Sequence, residues 1–163
     1  MKLTLPPIPA WDSLHPLVVH FPIGLLLVAP IFVALGLLLY QRTRAYCISA
    51  LVLMALGTIG AWVSVASGLA AMLLAATTGD ADVVLQDHER LALLTRTVFT
   101  GLVVGYAIIL VLPKLLKRDM KQSLVIVVHG CYLLAYAFGM LLIVNVGHLG
   151  GRLVHEFDVR ALM

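Results

Sequence analysis

Residues 16–40 read PLVVHFPIGLLLVAPIFVALGLLLY, a stretch without one Asp, Glu, Lys or Arg. A helix needs about 20 predominantly apolar residues to cross the hydrocarbon layer of a bilayer. Pro16 suits the start, because a first helical turn does not use the amide hydrogen that proline lacks. A membrane helix is therefore predicted from Pro16 to Tyr40, with kinks at Pro22 and Pro30. Working outward, three further apolar stretches predict spans at about 45–76, 88–112 and 123–148. Their short connections make consecutive spans antiparallel neighbours. The expected fold class is all-α, an integral membrane four-helix bundle, with residues 1–163 forming a single transmembrane domain.

Composition points the same way. Of 163 residues, 62% are hydrophobic and 12% charged, and the mean hydropathy of +1.07 excludes an ordinary soluble domain. The charges are also sorted. Arg42 and Arg44 follow the first span, and Lys114, Lys117, Arg118 and Lys121 follow the third. Asp12, Asp80, Asp82, Asp87, Glu89, Glu156 and Asp158 lie near the termini or between the second and third spans, and only Asp119 departs from this pattern. Basic residues in short loops stay cytoplasmic, so both termini and the acidic connection are expected outside, on the periplasmic face of a bacterial inner membrane. That rule also accounts for the net charge of +3 and leaves no basic surface for nucleic acid.

The segment Met1 to Ser13, with Pro6, Pro7, Pro9 and Trp11, lacks the basic-then-apolar order of a cleavable signal and is expected to be retained at the outer interface. Cys47 and Cys131 stand apart and form no Cys-x-x-Cys pattern, so covalent haem attachment is unsupported and both thiols are read as buried bystanders. On the second span Gly57, Gly60, Ser64 and Gly68 form a small-residue stripe, which admits either a close helix or a flat macrocycle. Gly101 and Gly105 repeat the spacing on the third span, Pro113 marks its close, and Gly150 and Gly151 suit the end of the fourth.

Five of six histidines, His15, His20, His88, His148 and His155, sit beside the outer ends of the spans. With a rise of about 1.5 Å per residue, His20, His88 and His148 come to nearly one depth, with His15 and His155 just above. His15, His20, His88 and His148 are therefore the candidate metal or cofactor ligands. Imidazole ligates metals readily, and a haem iron needs only one axial nitrogen on each face of the ring, supplied by different helices of a bundle. Arg90 and Arg152 lie where propionates at an outer interface would point. Arg96 sits two turns inside the third span, where a charge is costly unless it snorkels outward or meets an anion. His129 is alone near the opposite face, roughly 28 Å along the helix from His148. A bis-histidine haem pair stacked across the membrane is thus excluded within one chain, and redox chemistry is expected only in the outer half.

The stretch His15-Pro16-Leu17-Val18-Val19-His20-Phe21-Pro22-Ile23, together with His88-Glu89-Arg90 and Gly147-His148-Leu149-Gly150-Gly151-Arg152-Leu153-Val154, resembles the domain-of-unknown-function 2231 family. The resemblance implies a four-helix protein of bacterial inner membranes with a suspected relation to b-type cytochromes, and its motif residues are His15, His20, His88 and His148. The tail departs from the family pattern at His155 and Phe157-Asp158. The expected function is a membrane b-type cytochrome subunit carrying one haem b, two at most. It would pass electrons at the periplasmic face between a quinol or membrane enzyme and a periplasmic cytochrome c, in contact with lipid and other membrane-protein subunits. The alternatives are a cofactor-free accessory subunit of a larger respiratory or photosynthetic complex, and a copper or zinc site near His15 and His20. With no nucleophile elbow, phosphate loop or carboxylate pair in the sequence, catalysis by the chain alone is not expected.

Overall fold

The computed structural model describes residues 10–39, 42–75, 77–117 and 121–159. The segment Met1 to Pro9, the expected span ends Tyr40 and Ala76, and the loop charges Arg118 and Asp119 lie outside the described residues. A 3-10 turn, Trp11–Ser13, leads into α1 (His15–Val18), α2 (His20–Leu38), α3 (Thr43–Met72), α4 (Asp80–Leu115) and α5 (Gln122–His155). The pair α1–α2 taken together, and each of α3, α4 and α5, is long and apolar enough to cross a membrane. The architecture is all-α with four such spans, as the sequence predicted.

The element ends differ from expectation in four places, each for a local reason. The first span breaks at Val19 rather than bending smoothly, because Pro22 cannot donate to the Val18 carbonyl and its ring crowds that group. Helix α2 then runs through Pro30 without interruption. Helix α4 starts eight residues before His88, so the acidic connection is its first turns rather than a loop. Gly79, at φ 63°, supplies the left-handed entry, and Asp80 and Asp82 sit at the positive end of the helix dipole. Pro113 lies inside the last turn of α4, and α5 passes through Gly150 and Gly151 to reach His155.

At 36 and 34 residues, α4 and α5 are about 50 Å long, well beyond a hydrocarbon layer of about 30 Å. Their projecting ends pack on each other and on the end of α3. Val84, Leu85 and Leu153 are buried there, with Met72, Leu149 and Phe157 against them.

The main core occupies the other half of the bundle. Leu26, Ala29 and Val33 of α2 meet Cys47, Ala50 and Met54 of α3, Phe99 and Tyr106 of α4, and Tyr132, Tyr136 and Ile143 of α5. Three tyrosines run through it, with ring centres 4.6 Å apart for Tyr106–Tyr132 and 5.9 Å for Tyr132–Tyr136. The Tyr136 hydroxyl donates to the Leu26 carbonyl at 2.8 Å, and the Tyr132 hydroxyl reaches the Leu102 carbonyl at 3.1 Å. These bonds tie α5 to α2 and to α4. In an apolar medium an unpaired hydroxyl is costly, and the Tyr106 hydroxyl is buried without a hydrogen-bond partner among the described residues.

Close approach depends on glycine at defined points. A Cβ on Gly57 would lie 2.7 Å from Leu26 Cγ, and one on Gly60 3.3 Å from the Pro22 ring. This part of the stripe is therefore a seam between α3 and α2. Gly101 and Gly105 have nothing within 4 Å of a built Cβ, so the second small pair makes no such contact among the described residues. Cys47 is buried and Cys131 exposed, which corrects the reading of both thiols as buried.

Candidate functional site

Above that core the four spans separate around a cavity of about 1030 Å³, at the large end for a ligand pocket. All five helices line it. Apolar side chains such as Ile23, Leu26, Val65 and Ile143 dominate its wall, and the polar side chains are few: Ser13, His15, Ser64, His88, Glu89, Thr95 and Arg96.

Two of the candidate histidines meet here. The rings of His15, from α1, and His88, from α4, are 6.4 Å apart between centres and nearly perpendicular at 85°. Each is held from behind. His15 Nδ1 lies 2.7 Å from the Ser64 carbonyl and His88 Nδ1 lies 3.1 Å from the Val146 carbonyl. A carbonyl oxygen only accepts, so both Nδ1 atoms carry the proton and both Nε2 atoms carry the lone pair in the neutral rings. Neither Nε2 has a hydrogen-bond partner among the described residues.

Bare backbone makes room for both rings. A Cβ on Gly68 would stand 2.9 Å from His15 Nδ1 and Cε1, and one on Gly150 would stand 3.2 Å from His88 Cε1. The small-residue stripe thus divides between two uses: Gly57 and Gly60 seat α2, whereas Ser64 and Gly68 support an imidazole. The Ser64 carbonyl also accepts from Ser67 Oγ at 3.1 Å, while Ser64 Oγ is buried on the cavity wall with no partner among the described residues.

The remaining candidates are placed apart from this pair. His20 is exposed, with Nδ1 bonded to the Pro16 carbonyl of its own turn at 3.0 Å. His148 and His155 are exposed on α5. Helix rotation decides this: His148 precedes Gly150 by two positions, about 200° around the helix, so only one of the two can face His88. The expected single layer of His20, His88 and His148 therefore does not assemble; His15 replaces His20 and His148 opposite His88. Among the described residues no three His, Cys, Asp or Glu side chains gather to hold an ion. A zinc or copper site needs about three or four protein ligands, so the expected metal group of His15, His20, His88 and His148 is not supported.

Both expected propionate partners are also elsewhere. Arg90 is exposed, and Arg152 bonds Glu156 through Nε at 2.9 Å. Arg96 is the arginine on the cavity wall, its guanidinium 4.0 Å above the ring centre of Trp62. His129, at the far end, is satisfied on both nitrogens: Nδ1–H donates to the Val125 carbonyl at 2.9 Å, and the Cys47 thiol meets Nε2 at 3.8 Å.

The sequence offered no signal for the two carbonyls that orient the rings, since every residue carries a carbonyl. It did mark Gly68, as one of a stripe, and it misread Gly150 as a helix end. No curated protein and no solved structure matches the chain. The motifs at His15, His88 and Gly150 nevertheless lie within a family match that takes in residues 12–162, and the chain belongs to that family of predicted membrane proteins, DUF2231.

Proposed function

We propose that this multi-pass membrane protein binds haem b between His15 and His88 and acts as an electron-transfer subunit. The observation that carries the reading is the close approach of His15 and His88, each bonded through Nδ1 to a backbone carbonyl and with Nε2 unpartnered among the described residues. His15 and His88, with ring centres 6.4 Å apart, would hold the haem iron, each through the unprotonated Nε2. The residues present fit the group in three further respects: Gly68 and Gly150 leave the space a Cβ would fill, Ser64 Oγ is buried without a partner, and the cavity is apolar and large.

A haem with two imidazole ligands supplies one-electron transfer. The chain's own contribution is positional. Ser64 and Val146 fix the tautomer and the plane of each ring, which is how an outer partner orients a ligating histidine. The wall is mostly apolar, and Leu85 and Leu153 of the cluster at the projecting helix ends form part of it. The sorting of charge along the chain supports a site near the periplasmic face of a bacterial inner membrane, where a quinol, another membrane subunit or a periplasmic cytochrome c would be its partner.

Reduced-minus-oxidised spectra of the purified protein test the proposal. A b-type alpha band is expected at one haem per chain, lost in His15→Ala and in His88→Ala and kept in His20→Ala and His148→Ala. A wild-type protein without the band, after expression with ample haem supply, rejects the reading and leaves the cofactor-free accessory subunit in its place.

A further inference from the structure

Arg96 lies eight residues after His88 on α4, about 12 Å farther into the membrane. Helical side chains lean toward the N-terminus, which brings its head group back toward the level of the histidine pair. Trp62 covers one face of the guanidinium at 4.0 Å, and the indole is itself fixed by an Nε1–H bond to Thr100 Oγ1 at 3.1 Å. Arg96 Nε is buried and has no hydrogen-bond partner among the described residues. No carboxylate lies within ion-pair distance of Arg96 there either; Glu89, the one carboxylate on the cavity wall, is seven positions away. A ring face can share a guanidinium's charge but cannot accept its in-plane N–H bonds. A cation held against an apolar cavity with donors unused calls for an anion.

We infer that Arg96 is the anchor for a carboxylate of an amphipathic acid whose apolar body fills the cavity. Resting on the haem reading above, this assigns the acid to a haem propionate, received by Arg96 rather than by Arg90 or Arg152. A lipid-derived fatty acid is the other source of the same chemistry, and the test separates the two.

Haemin and its dimethyl ester share the macrocycle and differ at the two propionates, which are ionised in one and methylated and neutral in the other. Titrated into the purified apo-protein in detergent, wild type should bind haemin at least about tenfold more tightly than the ester, the scale of a charge-assisted hydrogen bond. Arg96→Gln should erase that preference while leaving ester affinity within about twofold, and Arg96→Lys should restore part of it; because the ester comparison is internal to each protein, it does not depend on equal stability. Equal binding of haemin and ester by wild type, with the His15- and His88-dependent band intact, overturns the role of Arg96 and leaves the haem reading standing. If haemin does not bind but palmitate binds more tightly than methyl palmitate in an Arg96-dependent way, the carboxylate anchor stands and the haem reading falls. Failure of both acids to discriminate overturns the inference outright.

Discussion

The two halves of the bundle use the same residue types to opposite ends. In one half His129 is buried, both ring nitrogens are bonded, and Tyr106 stands edge-on to it at 5.8 Å inside a continuous aromatic core. In the other half His15 and His88 are each bonded on one nitrogen only among the described residues and border a cavity of about 1030 Å³. A membrane protein gains little from burying apolar groups against one another, because lipid is equally apolar, so close packing and satisfied polar groups must hold its helices together. The packed half does that through close packing and the bonds of Tyr132, Tyr136 and His129, although the buried Tyr106 hydroxyl has no hydrogen-bond partner among the described residues. The open half leaves packing unmade around a cavity bordered by His15 and His88, and room of that kind is what a binding site requires.

Substitutions should separate the halves, beginning with the most severe. Gly57→Leu would drive side-chain atoms into Leu26 and part α3 from α2, at a cost of about 3 kcal/mol or more. Loss of a cooperative melt in detergent is the expected result, and a normal melt would show that this seam does not hold the packed half. His129→Ala should lower the melting temperature, leaving the Cys47 thiol unpaired and a gap beside Tyr106 at about 2 kcal/mol, yet leave any haem band untouched. His15→Ala and His88→Ala should do the reverse. If His129→Ala removed the band, the division of labour between the halves would be wrong.

Smaller changes sharpen the contrast. Gly68→Ala should weaken haem retention by roughly tenfold through the clash with the His15 ring, and Gly150→Ala by less, in keeping with the longer 3.2 Å approach. Gly24→Ala, with nothing within 4 Å of its Cβ, is the matched control. Tyr136→Phe should cost about 1 kcal/mol in the melt by freeing the Leu26 carbonyl, without spectral change. Arg152→Gln should cost about 0.5 kcal/mol or less, since its pair with Glu156 is solvent-accessible. Unaltered haem retention in that variant would separate Arg152 from the cofactor, whereas a large loss would restore it as a propionate partner.

Much of the fold was legible in the residues themselves. Long uncharged stretches force backbone polar groups to bond internally, and in lipid that leaves the helix as the one local solution. Helix ends were less legible. Pro22 announced a disturbance, and its effect fell one turn earlier because the carbonyl it deprives belongs to Val18. Gly150 and Gly151 looked like a stop; α5 continues through them because the extended ends of α4 and α5 bury Val84, Leu85 and Leu153 between them. The tyrosine core drew no notice, since aromatic residues within apolar spans give no sign of which helix they face.

The sequence determined, by itself, that four helices span a membrane and that histidines gather near one end of them, because hydropathy and rise per residue are properties of each helix alone. Which histidines meet was decided only by tertiary structure. Helix rotation and the carbonyls of Ser64 and Val146 select His15 and His88 and turn His20 and His148 away, and neither quantity is written in any one residue's identity.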